Sequence, residues 1–254
     1  MTVIIDLPPI HKTGPARLLD MVEGRSKQAF KTWLAARDPA WRKAVEVVAM
    51  DGFSGFKTAT TDELPGAVAV MDPFHVVRFA GNALDTCRRR VQQEIHGHRG
   101  RKGDPLYAGR RTLHTGAAFR TERQQQCLDA LFADERHLAV EVTWGIYQRM
   151  VSAYHPDRAA GRKLMVELID TVSAGVPAAL RELITLGRTL KQRATDVLAY
   201  FDRPGRSNGP TEAINGRLEH LRGSALGFRN LANFIARSLL ETGGFRPLLH
   251  PGLR

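Results

Sequence analysis

The sequence predicts an α/β fold, and three observations carry that prediction. The first 72 residues contain several short β-branched and apolar runs punctuated by turn residues, the pattern of strands. Two of those runs end on an aspartate, and open α/β sheets gather their ligand sites at the carboxyl ends of strands. Most of the remaining chain has apolar residues recurring every three or four positions, the period of amphipathic helices.

Taken in order, "TVIIDL" reads as a strand, "PPIHKTG" as a turn and "ARLLDMV" as a second strand that pairs back as a hairpin. "SKQAFKTWLAARD" predicts a helix capped by Ser26, with Phe30, Trp33 and Leu34 on one face. "AVEVVAMD" is nearly continuous in apolar residues, as a strand buried on both faces would be, and it ends on Asp51. "TATTDELPG" fits a short helix or a loop, and "GAVAVMD" repeats the strand pattern and ends on Asp72. Asp51 and Asp72 are thus placed for chemistry, and each fits equally well as a helix cap or turn residue.

A long amphipathic helix then carries Val76, Ala80, Leu84, Cys87, Val91 and Ile95. The segment "HGHRGRKGDPLYAGRR" is rich in Gly, Arg and Lys. It suits phosphate contacts made at close backbone approach, or a solvated flexible loop. From about residue 121 to 201, apolar stripes such as Leu128–Leu131–Phe132, Trp144–Tyr147–Met150 and Leu164–Leu168–Val172 predict several more helices with no chemistry of their own. "FDRPGRSNGP" reads as a loop, and Pro210 fits the first turn of the next helix. On that helix Ile214, Leu218 and Leu221 form the apolar face, and Glu212, Asn215 and Glu219 share another. Glu212 alone is explained as a first-turn acid facing the positive end of the helix dipole. Asn230 is expected to cap a last helix that carries Leu231, Phe234, Ile235 and Leu239 and ends at Gly243 and Gly244.

The chain has 254 residues, enough for one large domain or two small ones, and its 43% hydrophobic share is that of a globular protein. A formal net charge of +11 points to nucleic acid as partner, with phosphate contacts dominating affinity, or to a basic surface with no such role. Cys87 and Cys127 are far apart and form no CxxC pair, so neither a zinc ribbon nor a disulfide framework is supported. Both read as small core residues in a reducing compartment. No run of about 18 apolar residues occurs and the N-terminus lacks a signal-peptide layout, so a cytoplasmic protein with no membrane partner is expected.

Three stretches, "VVAMDGFSGF", "AVMDPFHVVRFAGNALDTCRRR" and "SNGPTEAINGRLEHLRGSALGFRN", resemble in this order the catalytic region of insertion-sequence transposases of the ISL-three family, which carry a DDE domain. The resemblance runs from about residue 3 to 248. It implies a ribonuclease H-like mixed sheet with a large helical insertion and C-terminal helices. Residues 1–72 and 207–254 would form the catalytic core and 73–206 the insertion. By the same resemblance Asp51 matches the acid after the fourth strand and Glu212 the helix acid. Asp72 matches a recurring aspartate on the next strand, and His75 and Arg78 belong to its motif. The first acid has no counterpart: the chain starts at the family's second strand, where Asp6 lies, which implies an N-terminally truncated copy or a misplaced start codon, with impaired activity.

The implied function is DNA transposition, by metal-dependent phosphodiester cleavage and strand transfer. A crowded phosphate is neutralised by two Mg²⁺ ions about 4 Å apart, with Mn²⁺ as a substitute, and such hard cations take carboxylate oxygens. Asp51 and Glu212 are the implied metal ligands, with Asp72 as a third catalytic acid. The implied partners are DNA, as transposon ends and target, and a second copy of the chain as a homodimer. The phosphate backbone would meet Arg88, Arg89, Arg99, Arg101, Lys102, Arg110, Arg111, Arg217, Arg222 and Arg229. The implied location is the bacterial cytoplasm, in association with the nucleoid. Two rival readings are a non-catalytic DNA-binding or oligomerising remnant, and a structure-selective nuclease on the same fold.

Overall fold

A computed structural model describes residues 1–7, 14–154, 157–203, 205 and 207–245. The class is α/β with helix predominating. The strands among the described residues form two two-stranded sheets, β1 with β2 and β3 with β4, and most other elements are helices. By its internal contacts the chain divides into two units, residues 1–70 with 205–254, and residues 71–204.

The first unit opens with the antiparallel hairpin of β1 (Thr2–Asp6) and β2 (Arg17–Val22). Its register runs Val3 against Met21 and Ile4 against Asp20, then slips so that Ile5 faces Leu18. Leu19 is the extra residue, a β-bulge that resets the alternation of β2. That reset is why Leu18 and Met21, three positions apart, join Val3 and Ile5 in one apolar cluster while Ile4, Leu19 and Val22 join another. The first cluster is completed by Ile214 and Leu218 on α11 (Gly209–Ser224) and by Phe234, Ile235 and Leu239 on α12 (Leu231–Thr242). The hairpin therefore sits between helices from the two ends of the chain.

The second cluster centres on α1 (Lys27–Ala35) and α3 (Ser54–Glu63). Ser26 caps α1 by accepting the Ala29 amide at 3.1 Å, and Phe30, Trp33 and Leu34 are buried on the predicted face. The Trp33 indole donates to Asp20 at 2.7 Å, which ties α1 to β2. A short helix that no apolar stripe announces, α2 (Pro39–Ala44), starts where Asp38 accepts the Ala40 and Trp41 amides ahead of Pro39. β3 (Val47–Met50) and β4 (Val68–Met71) are paired, and the Val68 amide donates to the Glu46 carbonyl at 2.8 Å. Val47, Val48 and Ala49 are half-buried, not enclosed on both faces as their apolar run suggested.

The second unit is helical: α4 (Pro73–His96), α5 (Pro105–Ala108), α6 (Glu122–Phe132), α7 (Leu138–Ser152), α8 (Arg158–Ser173), α9 (Arg181–Gln192) and α10 (Ala194–Asp202). Val76, Ala80, Leu84, Cys87 and Val91 form the buried stripe of α4 and pack with Val140 and Met150 of α7 and Leu190 of α9 in one core. Full burial of one such side chain is worth about 1.5–3 kcal/mol. Cys87 is inside, as expected, and burial pushes its thiol up, which makes it inert. Cys127 is not a core residue: it lies on the exposed side of α6, while Leu128 and Leu131 face inward. Its place in a helix is legible in the sequence, but its phase on that helix is not.

Candidate functional site

Asp51 directly follows β3, in the short connection to α3. It is half-buried, and its Oδ1 accepts the Phe53 amide at 2.8 Å, an Asx turn that fixes the side chain at the end of the strand. Asp72 stands in the same relation to β4, yet its surroundings differ. It is buried, its carboxylate accepts the Phe74 amide at 3.0 Å, and its carbonyl accepts the amides of His75 and Val76. With Pro73 in the first turn it is the N-cap of α4. The cap reading left open by the sequence is therefore realised at Asp72. His75 is buried against Phe74, with the rings edge to face at 5.6 Å, and Arg78 is exposed.

Glu212 lies in the first turn of α11, exposed, and its amide donates to the Asn208 carbonyl at 3.1 Å. Pro210 sits at the start of that helix as expected, and Ile214 and Leu218 are the residues that anchor it. Asp6, on β1, faces Arg17 across the hairpin and pairs with it at 2.9 Å.

Asp51 and Glu212 belong to the first unit, and the second unit opens at Met71, just before Asp72. As hard oxygen donors the carboxylates suit a cation such as Mg²⁺. Their arrangement falls short of a ligand set: among the described residues no three His, Cys, Asp or Glu side chains stand close enough together to hold a metal ion.

The basic residues fall into two groups. In the second unit Arg89, Arg99, Arg101, Lys102 and Arg111 are exposed. Arg110 is half-buried, its guanidinium stacked 4.1 Å over the Tyr107 ring and donating to the Tyr107 carbonyl at 2.7 Å. Arg88 corrects the expectation. It is 6% exposed and its guanidinium is held by Asp85 and Gln92, so it has no face for a phosphate. Helical phase decides this, because Arg88 follows Cys87 into the core side of α4. The Gly-rich segment is also more ordered than a flexible loop. The Arg101 amide donates to Asp104 at 2.6 Å, the Gly100 amide to His98 at 3.2 Å, and α5 begins directly after Asp104. Gly100, at φ +114°, is packed so that a Cβ would run into Gln92 and Tyr107. In the first unit Arg217, Arg222 and Arg229 are exposed on α11 and in the turn after it.

Among the described residues no helix is long and apolar enough to cross a membrane. No solved structure matches the chain. Two curated relatives are the transposases for insertion sequence element IS1557 of Mycobacterium tuberculosis strains CDC 1551 / Oshkosh and ATCC 25618 / H37Rv, each 25% identical over 272 residues. The alignments cover 99% of this chain and 58% of each relative, so the chain spans little more than half the length of those proteins. A family model described as Transposase, of the DDE ISL3 type, matches residues 1–238. The chain belongs to the ISL3 transposase family.

Proposed function

We propose that this chain carries part of the machinery of DNA transposition, cutting and rejoining phosphodiesters with Asp51 and Glu212 as its essential carboxylates on a ribonuclease H-like core. The observation that carries this reading is the family match across residues 1–238, a range within which both acids fall. Supporting it, Asp51 sits where a strand ends and Glu212 where a helix begins, both within one unit. The reaction class is hydrolysis followed by transesterification. Water adds to phosphorus and the P–O3′ bond breaks, leaving a 3′-hydroxyl and a 5′-phosphate. That hydroxyl then attacks a target phosphodiester, a new P–O bond forms, and the displaced 3′-hydroxyl leaves with a proton. The exposed cations, Arg89, Arg99, Arg101, Lys102, Arg111, Arg217, Arg222 and Arg229, hold the DNA backbone and carry no sequence information. DDE enzymes generally use divalent metal ions, which supply Lewis acidity at the phosphate.

A second reading is a DNA-binding remnant without cleavage, favoured by the missing three-donor cluster among the described residues. Supercoiled plasmid incubated with the chain and Mg²⁺ or Mn²⁺ separates the two. Metal-dependent nicking that is lost in both Asp51→Ala and Glu212→Ala is the expected result. Binding without nicking, or nicking indifferent to both substitutions, overturns the catalytic assignment.

A further inference from the structure

The turn that joins α11 to α12 holds a leucine where the backbone asks for glycine. The Gly227 amide donates to the Arg222 carbonyl at 2.9 Å and the Leu226 amide to the Gly223 carbonyl at 3.0 Å. These are the two bonds of a Schellman helix end, and Leu226 occupies the position that must turn left-handed. Its φ is 52°, the one positive value at a non-glycine residue among those described. Its side chain is 97% exposed, more than any other large apolar residue described. Glycine would take this φ with no Cβ to crowd the backbone, and an exposed leucine gains nothing from burial. Neither local conformation nor packing accounts for the residue.

Its surroundings do suggest a use. Arg217, Arg222 and Arg229 are exposed around the turn, and the one acid between residues 213 and 230 is Glu219. The tip is firmly supported. The Phe228 ring packs on Phe234 with centroids 5.0 Å apart, and Asn230 caps α12 by accepting the Ala232 amide at 2.8 Å and the Asn233 amide at 3.4 Å. An apolar side chain presented on a supported turn among exposed arginines is of the kind that DNA-bending proteins insert between base steps.

We propose that Leu226 is a wedge that enters a base step of duplex DNA while Arg222 and Arg229 hold the neighbouring phosphates, an inference that rests on the reading of the chain as a protein acting on DNA. A second copy is a poorer occupant, because it would bring two sets of arginines face to face. The ligand is a bent or locally unstacked duplex, and the contact is to base faces, which every sequence offers.

The test uses the full chain and short duplexes that carry a fluorescent adenine analogue at successive positions. Binding of the wild-type chain should raise the analogue's emission as it unstacks. Leu226→Gly should lose that rise and bind about tenfold more weakly, the effect of losing one buried apolar side chain. Its thermal midpoint should be equal or higher, because the strained backbone is relieved. Leu226→Met should keep both the rise and the affinity. Arg222→Ala and Arg229→Ala should each reduce the salt slope of binding by about one and leave the emission rise at saturation. Undiminished affinity and emission in Leu226→Gly would overturn the wedge and leave the DNA reading intact. Loss of self-association in Leu226→Gly with DNA binding unchanged would overturn it in favour of a contact between copies. Failure of the wild-type chain to bind duplex at low salt would sink the functional reading itself.

Discussion

Arg90 and Glu182 show how much a single pair of side chains decides in the helical unit. Arg90 grips Glu182 through two bonds, Nε to Oε1 at 2.8 Å and Nη2 to Oε2 at 3.0 Å, and also donates to the Ala179 carbonyl at 3.1 Å. The side chains are only 14% and 6% exposed. Burial alone would push the Glu182 carboxyl up. The hydrogen bonds from Arg90, a backbone amide and the charges of Arg90 and Arg181 together more than offset that, so Glu182 titrates below its ordinary value of 4.5. A carboxyl that titrates lower folded than unfolded adds stability above the unfolded value and loses it as pH falls through the folded one. Glu182→Gln should therefore destabilise the chain by about 1.5 kcal/mol at neutral pH, since it removes the charged partner of the buried pair while Glu94 and the Ala179 carbonyl still accept from the guanidinium. The loss of stability on acidification should also be shallower than in the wild type. Urea unfolding at pH about 7 and about 3.5 checks both, and identical midpoints and pH slopes would mean the pair is inert. Nothing in the sequence announced this contact. Arg90 reads there as one of three consecutive arginines, and its partner lies 92 positions away. Caps were legible because their partners are local: Ser26, Asn230 and Pro210 all fell where the sequence put them.

At the scale of elements, period and punctuation carried most of the reading. The long stripe on α4 was visible because it repeats over six turns, and both aspartate-ended strands were visible as apolar runs. The bulge at Leu19 was not visible, since a slip in register is a property of two strands and not of either alone. Helix crossings were equally hidden. α8 and α9 approach so closely at Gly187 that a Cβ there would meet the Val172 carbonyl, and the Ser173 hydroxyl donates to the Gly187 carbonyl at 3.3 Å. Backbone cannot move aside as a flexible side chain can, so Gly187→Ala should cost about 1–3 kcal/mol by overpacking. Gly145, within α7, has nothing within 4 Å of the place its Cβ would occupy. Gly145→Ala should therefore stabilise the chain by up to about 1 kcal/mol through helix propensity. Opposite shifts in denaturant midpoint with an unchanged slope would bear this out. A stabilising Gly187→Ala would mean the helices there have room to part, and a destabilising Gly145→Ala would mean the space at Gly145 is not open.

On the scale of the whole molecule, the two units have different claims to independence. Residues 71–204 are continuous in sequence and share one extended core that joins α4, α7, α8 and α9. Such a segment closes its apolar surface without help, so on its own it should be helical and unfold in a single cooperative transition. The other unit is assembled from the two ends of the chain. Leu18 and Met21 on β2 are covered by Ile214 and Leu218 on α11, nearly 200 residues later. The same long-range assembly explains why only the resemblance joined Glu212 to Asp51: the two come from the separate segments of that unit, and no local pattern reports on their spacing. Residues 1–70 alone should then leave the face of the hairpin that carries Leu18 and Met21 open to water. They should bind a hydrophobic dye, and lose that binding when a 205–254 peptide is supplied in trans. Circular dichroism and thermal unfolding of the 71–204 fragment, with dye titration of 1–70 in the presence and absence of the peptide, measure each half of the expectation. A 71–204 fragment that melts without a cooperative transition would mean its core needs the other unit. A 1–70 fragment that folds unaided would mean the C-terminal helices are a dispensable cover.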